Sequence, residues 1–170
     1  MPKRLPILAV LLYSLAASAC GQENDGKVEV ELPELKPVTH NELLADLEAL
    51  EGEVIVMNFW ATWCAPCIKE FPDFMRIGKE FDDQGVELVF VSADFEQDVD
   101  IARQFLAEQG VTWTTYLKTG RDNPFINGIN QEWSGALPAT MIYDRAGTLV
   151  SFWEGSTTYQ ELIREIEPLL

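Results

Sequence analysis

Val54-Ile55-Val56-Met57-Asn58-Phe59 is a nearly continuous apolar run rich in β-branched residues, the pattern of a strand covered on both faces. Val86-Glu87-Leu88-Val89-Phe90-Val91 repeats it, and Thr112 to Leu117 is a third strand candidate. Between these runs the period becomes helical: Cys64 to about Asp82 with Ile68, Phe71, Phe74, Met75 and Phe81 apolar, then Asp98 to Gln109 with Ile101, Phe105 and Leu106. Strand, helix, strand, helix, strand implies parallel crossovers and an α/β sheet. Ahead of the first strand, Thr39-His40-Asn41-Glu42 is a capping-box signature opening a short helix on Leu43, Leu44, Leu47 and Leu50, stopped at Gly52. Downstream, a short helical piece is expected at Phe125–Ile129. Ala139 to Tyr143 and Leu149 to Trp153 flank the turn Asp144-Arg145-Ala146-Gly147 as a hairpin. Thr158-Tyr159-Gln160-Glu161 is a second capping box, opening a last helix with Leu162, Ile163 and Ile166 inward. No internal repeat or low-complexity tract interrupts this order.

The N-terminal residues follow another logic. Lys3-Arg4, the apolar run Leu5 to Leu15 and the small residues Ala16-Ala17-Ser18-Ala19 read as a secretory signal over 1–19, with an apolar run too short to span a bilayer. Cys20 directly after the cut resembles the acylated cysteine of a bacterial lipobox, with Ala17 where that box usually carries Leu. The expectation is a lipid anchor on Cys20, a polar and acidic tether over 20–37, and one domain over 38–170. The protein is placed outside the cytoplasm, on the periplasmic side, where disulfides persist.

Composition narrows the function by exclusion. A 170-residue chain that is 47% hydrophobic, with nine Phe and five Trp, has enough to build a core. Its formal charge is -16, and -18 once residues 1–19 are removed. Such an acidic body lacks the basic face that phosphate contacts need, so nucleic acid is not an expected partner.

The chemistry-bearing stretch is Asn58-Phe59-Trp60-Ala61-Thr62-Trp63-Cys64-Ala65-Pro66-Cys67, where two of the three cysteines stand three positions apart. At that spacing on one helical turn their Cα atoms come within disulfide range. The ring closed is so short that the bond would restrict the unfolded chain little, which makes a structural staple an inefficient explanation. Zinc asks for about four N or S ligands, and Cys20 and His40 in or near the tether are the only others on offer. Ile68 after Cys67 breaks the haem-attachment pattern. A redox pair explains more. If a helix starts at Cys64, its sulfur lies among unpaired N–H groups at the positive end of the helix dipole, which favours the attacking thiolate. Pro66 then falls in the first turn, where its missing N–H costs nothing. Cys67, one turn in, would resolve a mixed disulfide formed at Cys64.

Phe59-Trp60-Ala61-x-Trp63-Cys64-x-Pro66-Cys67, continued by Glu70-Phe71-Pro72, resembles the active-site segment of the thioredoxin-fold TlpA/ResA-type thiol–disulfide oxidoreductases, which are exported and membrane-tethered. The resemblance covers about residues 38–170. It implies a thioredoxin-like fold, a central mixed sheet with helices on both faces, and thiol–disulfide exchange without organic cofactor or metal. Thioredoxins proper carry a buried, proton-accepting Asp where this chain has Asn58. Asn cannot titrate, so the resemblance moves that role to Glu70, one turn beyond Cys67; a solvated surface Glu is the bland reading. Pro72 should bend the helix or break it in two. Leu137-Pro138 matches the family's cis-proline loop, with the Leu137 backbone pairing with an extended segment of the partner; Ala139 and Thr140 are read as plain strand. Trp63 is expected as an exposed apolar wall and Pro66 beside it as part of the same binding surface. Trp60, Trp113 and Trp153 are assigned to core or edge packing, and Trp133 near the Pro138 loop is a candidate for shaping the docking surface. The implied partners are exported disulfide-bearing proteins, apocytochromes c among them, and a membrane electron donor. Two rivals remain: a peroxiredoxin-type thiol peroxidase, and a Cu(I) chaperone using both thiolates.

Overall fold

The computed structural model describes residues 32–50 and 52–170; the signal and most of the tether, Cys20 included, lie outside them. Six strands form one sheet in the order β1-β4-β3-β2-β5-β6: β1 Leu35–Val38, β2 Val54–Trp60, β3 Val86–Ser92, β4 Thr115–Lys118, β5 Ala139–Tyr143 and β6 Leu149–Glu154. β1, β4, β3 and β2 run parallel, while β5 and β6 are antiparallel to the strand before them in that order. The sheet is therefore mixed, as the family resemblance implied.

The alternation of side chains along β2 divides the core. Val54, Val56 and Trp60 face α2 (Ala65–Phe81), α3 (Val99–Glu108) and α5 (Tyr159–Ile166), whose Phe71, Phe74, Leu106, Leu162 and Ile166 are wholly buried there. Ile55, Met57 and Phe59 face α1 (His40–Glu48) and α4 (Asp122–Ile129), through Leu43, Leu47 and Phe125. Asn58 lies on the α2 side, a polar residue in a strand whose every position is buried.

Both capping boxes form, Thr39 with Glu42 and Thr158 with Glu161. α2 continues through Pro72 as a single helix, so the alternative of two helices is set aside. Three differences from the sequence expectations stand out. Leu35–Pro37, assigned to the tether, forms with Val38 an edge strand paired in parallel with Thr115–Lys118. α4 begins at Asp122, three residues early, because Pro124 sits in its first turn where no backbone donor is needed. Ile101, counted with the apolar stripe of α3, is 58% exposed. Trp113, assigned to core or edge packing, is a partly exposed edge residue stacked on Phe90. Among the described residues no helix is long and apolar enough to cross a membrane.

Candidate active site

The site forms where β2 runs out. Beyond Trp60 the chain turns through Ala61-Thr62-Trp63, and two clamps fix it there. Ala93 N–H donates to the Trp60 carbonyl at 2.8 Å, extending the β2–β3 ladder by one rung. The buried Asp94 carboxylate accepts from the Thr62 N–H at 3.0 and 3.1 Å, from Thr62 Oγ1 at 2.6 Å and from Ser92 Oγ at 2.8 Å. Losing that carboxylate would leave the part-buried Thr62 N–H unpaired.

Cys64 is the N-cap of α2: its φ and ψ of -91° and 92° are extended, and its Sγ accepts from the Cys67 N–H at 3.4 Å. A sulfur here meets the unpaired donors of the first turn, where negative charge is favoured. Pro66 falls in that turn, as expected. The two sulfurs are bonded, with the Cα atoms 5.3 Å apart. Cys64 keeps 6% of its surface and Cys67 none, so an incoming group meets Cys64 first. Trp63 beside it is 59% exposed.

Behind the disulfide lies a buried polar cluster. Glu70, one turn past Cys67, is only 4% exposed, which rules out the solvated-surface reading. Its Oε1 accepts from Asn58 Nδ2 at 3.1 Å and its Oε2 from the Thr157 N–H at 2.8 Å. Burial raises its pKa to about 7, against the lowering effect of those two hydrogen bonds. Asn58 Nδ2 also donates to Thr140 Oγ1 at 3.3 Å. Thr140, read as plain strand, thus belongs to the cluster. Asn58 Oδ1 and Thr157 Oγ1 are buried with no partner among the described residues.

The Leu137–Pro138 bond is cis, as the resemblance implied. The Pro138 carbonyl accepts from the Gly155 N–H at 2.8 Å, which ties the loop to the end of β6 and to the segment that carries Thr157. Trp133, the candidate for shaping the docking surface, is buried against the loop. Its ring lies 4.3 Å from that of Phe59, and its Nε1 donates to the Ala136 carbonyl at 3.0 Å. Gly135 has φ 91°, and a Cβ there would come within 2.6 Å of Ile126 Cδ1, so a side chain at this point would strain the backbone and displace the end of Ile126.

Sequence reasoning missed Asp94 and Thr157. Ser92-Ala93-Asp94 after a strand is an ordinary turn signal, but its partner is 32 residues away in sequence. Thr157 acts through its backbone, and no sequence signal could have found it. Among the described residues no group of three or more His, Cys, Asp or Glu side chains is placed to hold a metal ion.

The profile of the AhpC/TSA family matches residues 28–152. The chain is 30% identical to the thiol:disulfide interchange protein HelX of Rhodobacter capsulatus over 98% of its own length and 93% of that protein. It is also 30% identical to the thiol-disulfide oxidoreductase ResA of Bacillus subtilis, over 91% of this chain and 85% of that one. Among solved structures, a thioredoxin-family thiol:disulfide interchange protein from Chlorobium tepidum superposes with a TM-score of 0.61 at 21% identity, covering 72% of this chain and 83% of that one. That likeness speaks to the fold alone.

Proposed function

The chain belongs to the AhpC/TSA family, and we propose how its active site works as the thiol–disulfide oxidoreductase that its kinship with HelX and ResA makes it. The observation that carries the proposal is the Cys64–Cys67 bond at the N-terminus of α2 with Glu70 buried behind it.

In the reduced enzyme the Cys64 thiolate attacks one sulfur of a partner's disulfide. That S–S bond breaks, a new one joins Cys64 to the partner, and the other partner sulfur leaves as a thiolate that takes up a proton. Cys67 then gives its proton to the Glu70 carboxylate and attacks Cys64 Sγ, which releases the second partner sulfur as a thiolate that takes up a proton and leaves the oxidised pair seen here. Two electrons pass to the partner. A carboxylate with a pKa of about 7 can take up and release a proton near neutral pH. Asn58 and the Thr157 N–H hold that carboxylate in place, while the cis Leu137–Pro138 loop and the exposed Trp63 receive the partner. Returning the pair to its dithiol form needs a second dithiol reductant, proposed as a membrane electron donor.

The proposed setting is extracytoplasmic, with the chain anchored through a lipid on Cys20. Exported disulfide-bearing proteins, apocytochromes c among them, are the proposed substrates. The signal-like residues 1–19 and the TlpA/ResA-type motif support that setting. Cys67→Ala tests the mechanism, because it should stall as a mixed disulfide on Cys64. Recovery of no disulfide-linked protein would contradict it. Peroxide consumption by the reduced parent separates the peroxidase rival, which uses a distant resolving cysteine; besides this pair the chain has only Cys20. Copper titration of the reduced protein separates the Cu(I)-chaperone rival.

A further inference from the structure

Three large apolar side chains stand in solvent at the end of the sheet that carries Cys64: Trp63, Phe95 and Ile101, at 59%, 61% and 58% exposure. Trp63 precedes the nucleophile. Phe95 follows Asp94, whose carboxylate grips Thr62, so the loops bearing Phe95 and Trp63 are held together. Ile101 lies in the first turn of α3, four residues before Phe105, whose ring packs 5.1 Å from Trp60 and 5.0 Å from Phe71. Residues four apart share a helical face. Ile101 therefore continues the stripe that touches Trp60 and Phe71, one turn nearer the start of α3 and the disulfide end of the sheet. Trp63, Phe95 and Ile101 thus stand beyond the C-terminal ends of β2 and β3 and at the start of α3, on the opposite side of β2 from β5 and the Leu137–Pro138 loop. This exposed end of the β3–α3 connection is the shelf.

The shelf is also acidic. Glu96, Asp98 and Asp100 lie between Phe95 and Ile101 along the chain. Arg103 approaches Asp100 at 3.8 Å but also donates to the Pro33 and Leu32 carbonyls, leaving the stretch net negative. Large exposed apolar patches rimmed by polar residues mark contact surfaces.

We propose that this shelf binds the partner polypeptide on the far side of its disulfide from the Leu137–Pro138 loop, and that it selects a segment with an apolar side chain flanked by Lys or Arg. The proposal rests on the oxidoreductase reading above and adds the chemistry of the substrate. Charge complementarity favours this occupant. A second copy of a chain of net charge -16 would bring two acidic shelves together, and an anionic lipid surface would be repelled.

The test uses the reduced full chain and disulfide-linked synthetic peptides that differ only beside the disulfide: Leu with Lys, Leu with Glu, and Ser with Lys. Mixed-disulfide formation at Cys64 is followed at low and high salt. The parent should react about tenfold faster with the Leu-Lys peptide than with the Leu-Glu peptide at low salt, and salt should narrow the gap. The triple variant E96Q/D98N/D100N should erase most of that gap. The double variant Phe95→Ser with Ile101→Ser should erase the preference for Leu over Ser, expected at about fivefold. Equal rates with all three peptides, a charge preference that survives the triple variant, or a Leu preference that survives the double variant would each overturn the proposal. So would dimerisation, or binding to anionic vesicles, that depends on Phe95. Parent protein that fails to reduce even a small uncharged disulfide would instead refute the oxidoreductase reading.

Discussion

Glu70→Gln should stabilise the oxidised protein at pH 8 and leave it unchanged near pH 4. Burial holds the Glu70 carboxyl at about 7, against an ordinary value of 4.5. Below 4.5 the group is neutral folded and unfolded, and contributes no pH dependence. Between 4.5 and about 7 the unfolded chain releases the proton while the folded one keeps it, so stability falls as pH rises through this window. Above about 7 both forms are ionised and the loss levels off at about 3 kcal/mol. Gln has the same shape and no proton to lose. Its carbonyl can accept from the Thr157 N–H, and its NH2 can be met by a rotated Asn58 amide, since Asn58 Oδ1 lacks a partner among the described residues. Urea unfolding of both proteins without reductant, from pH 4 to 8, isolates this one group, because the disulfide-bonded cysteines do not titrate and every other carboxylate is shared. The difference should open across the window and reach about 3 kcal/mol in favour of Gln. Parallel stability profiles would refute the argument that Glu70 is buried and titrates near neutrality.

Asp94→Ala should cost about 2 kcal/mol in urea unfolding by leaving the Thr62 N–H without an acceptor, and should slow mixed-disulfide formation at Cys64 more than it changes the final extent. Gly135→Ala, which puts a Cβ at φ 91° and 2.6 Å from Ile126 Cδ1, should cost at least about 1 kcal/mol and weaken peptide-substrate KM more than kcat. Phe71→Ala removes a ring stacked 4.3 Å from Phe90 and 5.4 Å from Trp60; thermal or urea melting should show a loss of about 3–5 kcal/mol.

The parts of this fold that could be read in the sequence are those whose pattern is local. β2 and β3 are near-unbroken apolar runs, and their burial on both faces follows directly. The two Thr-x-x-Glu boxes start α1 and α5 because cap and partner lie three residues apart. β1 could not be read this way. Leu35-Lys36-Pro37-Val38 contains a proline and only two buried apolar residues, and becomes a strand through Thr115–Lys118, far along the chain. The active site divides in the same manner. Cys64, Pro66 and Cys67 are declared by spacing, whereas the burial of Glu70 is set by Asn58, twelve residues before it, and by a backbone N–H 87 residues after it. Ile101 sits on an apolar helical stripe, so periodicity assigned it inward; its exposure reflects the stripe running past the end of the core toward the disulfide.

The proposed mechanism makes Cys64 the attacking thiol because its sulfur caps α2. The pH dependence of iodoacetamide alkylation of the reduced protein, read at Cys64 by mass spectrometry, tests it most directly. The account predicts a midpoint at least about one pH unit below the ~8.5 of an ordinary cysteine, with Cys67 alkylated far more slowly. A midpoint at or above that ordinary value, or faster alkylation of Cys67, would contradict it.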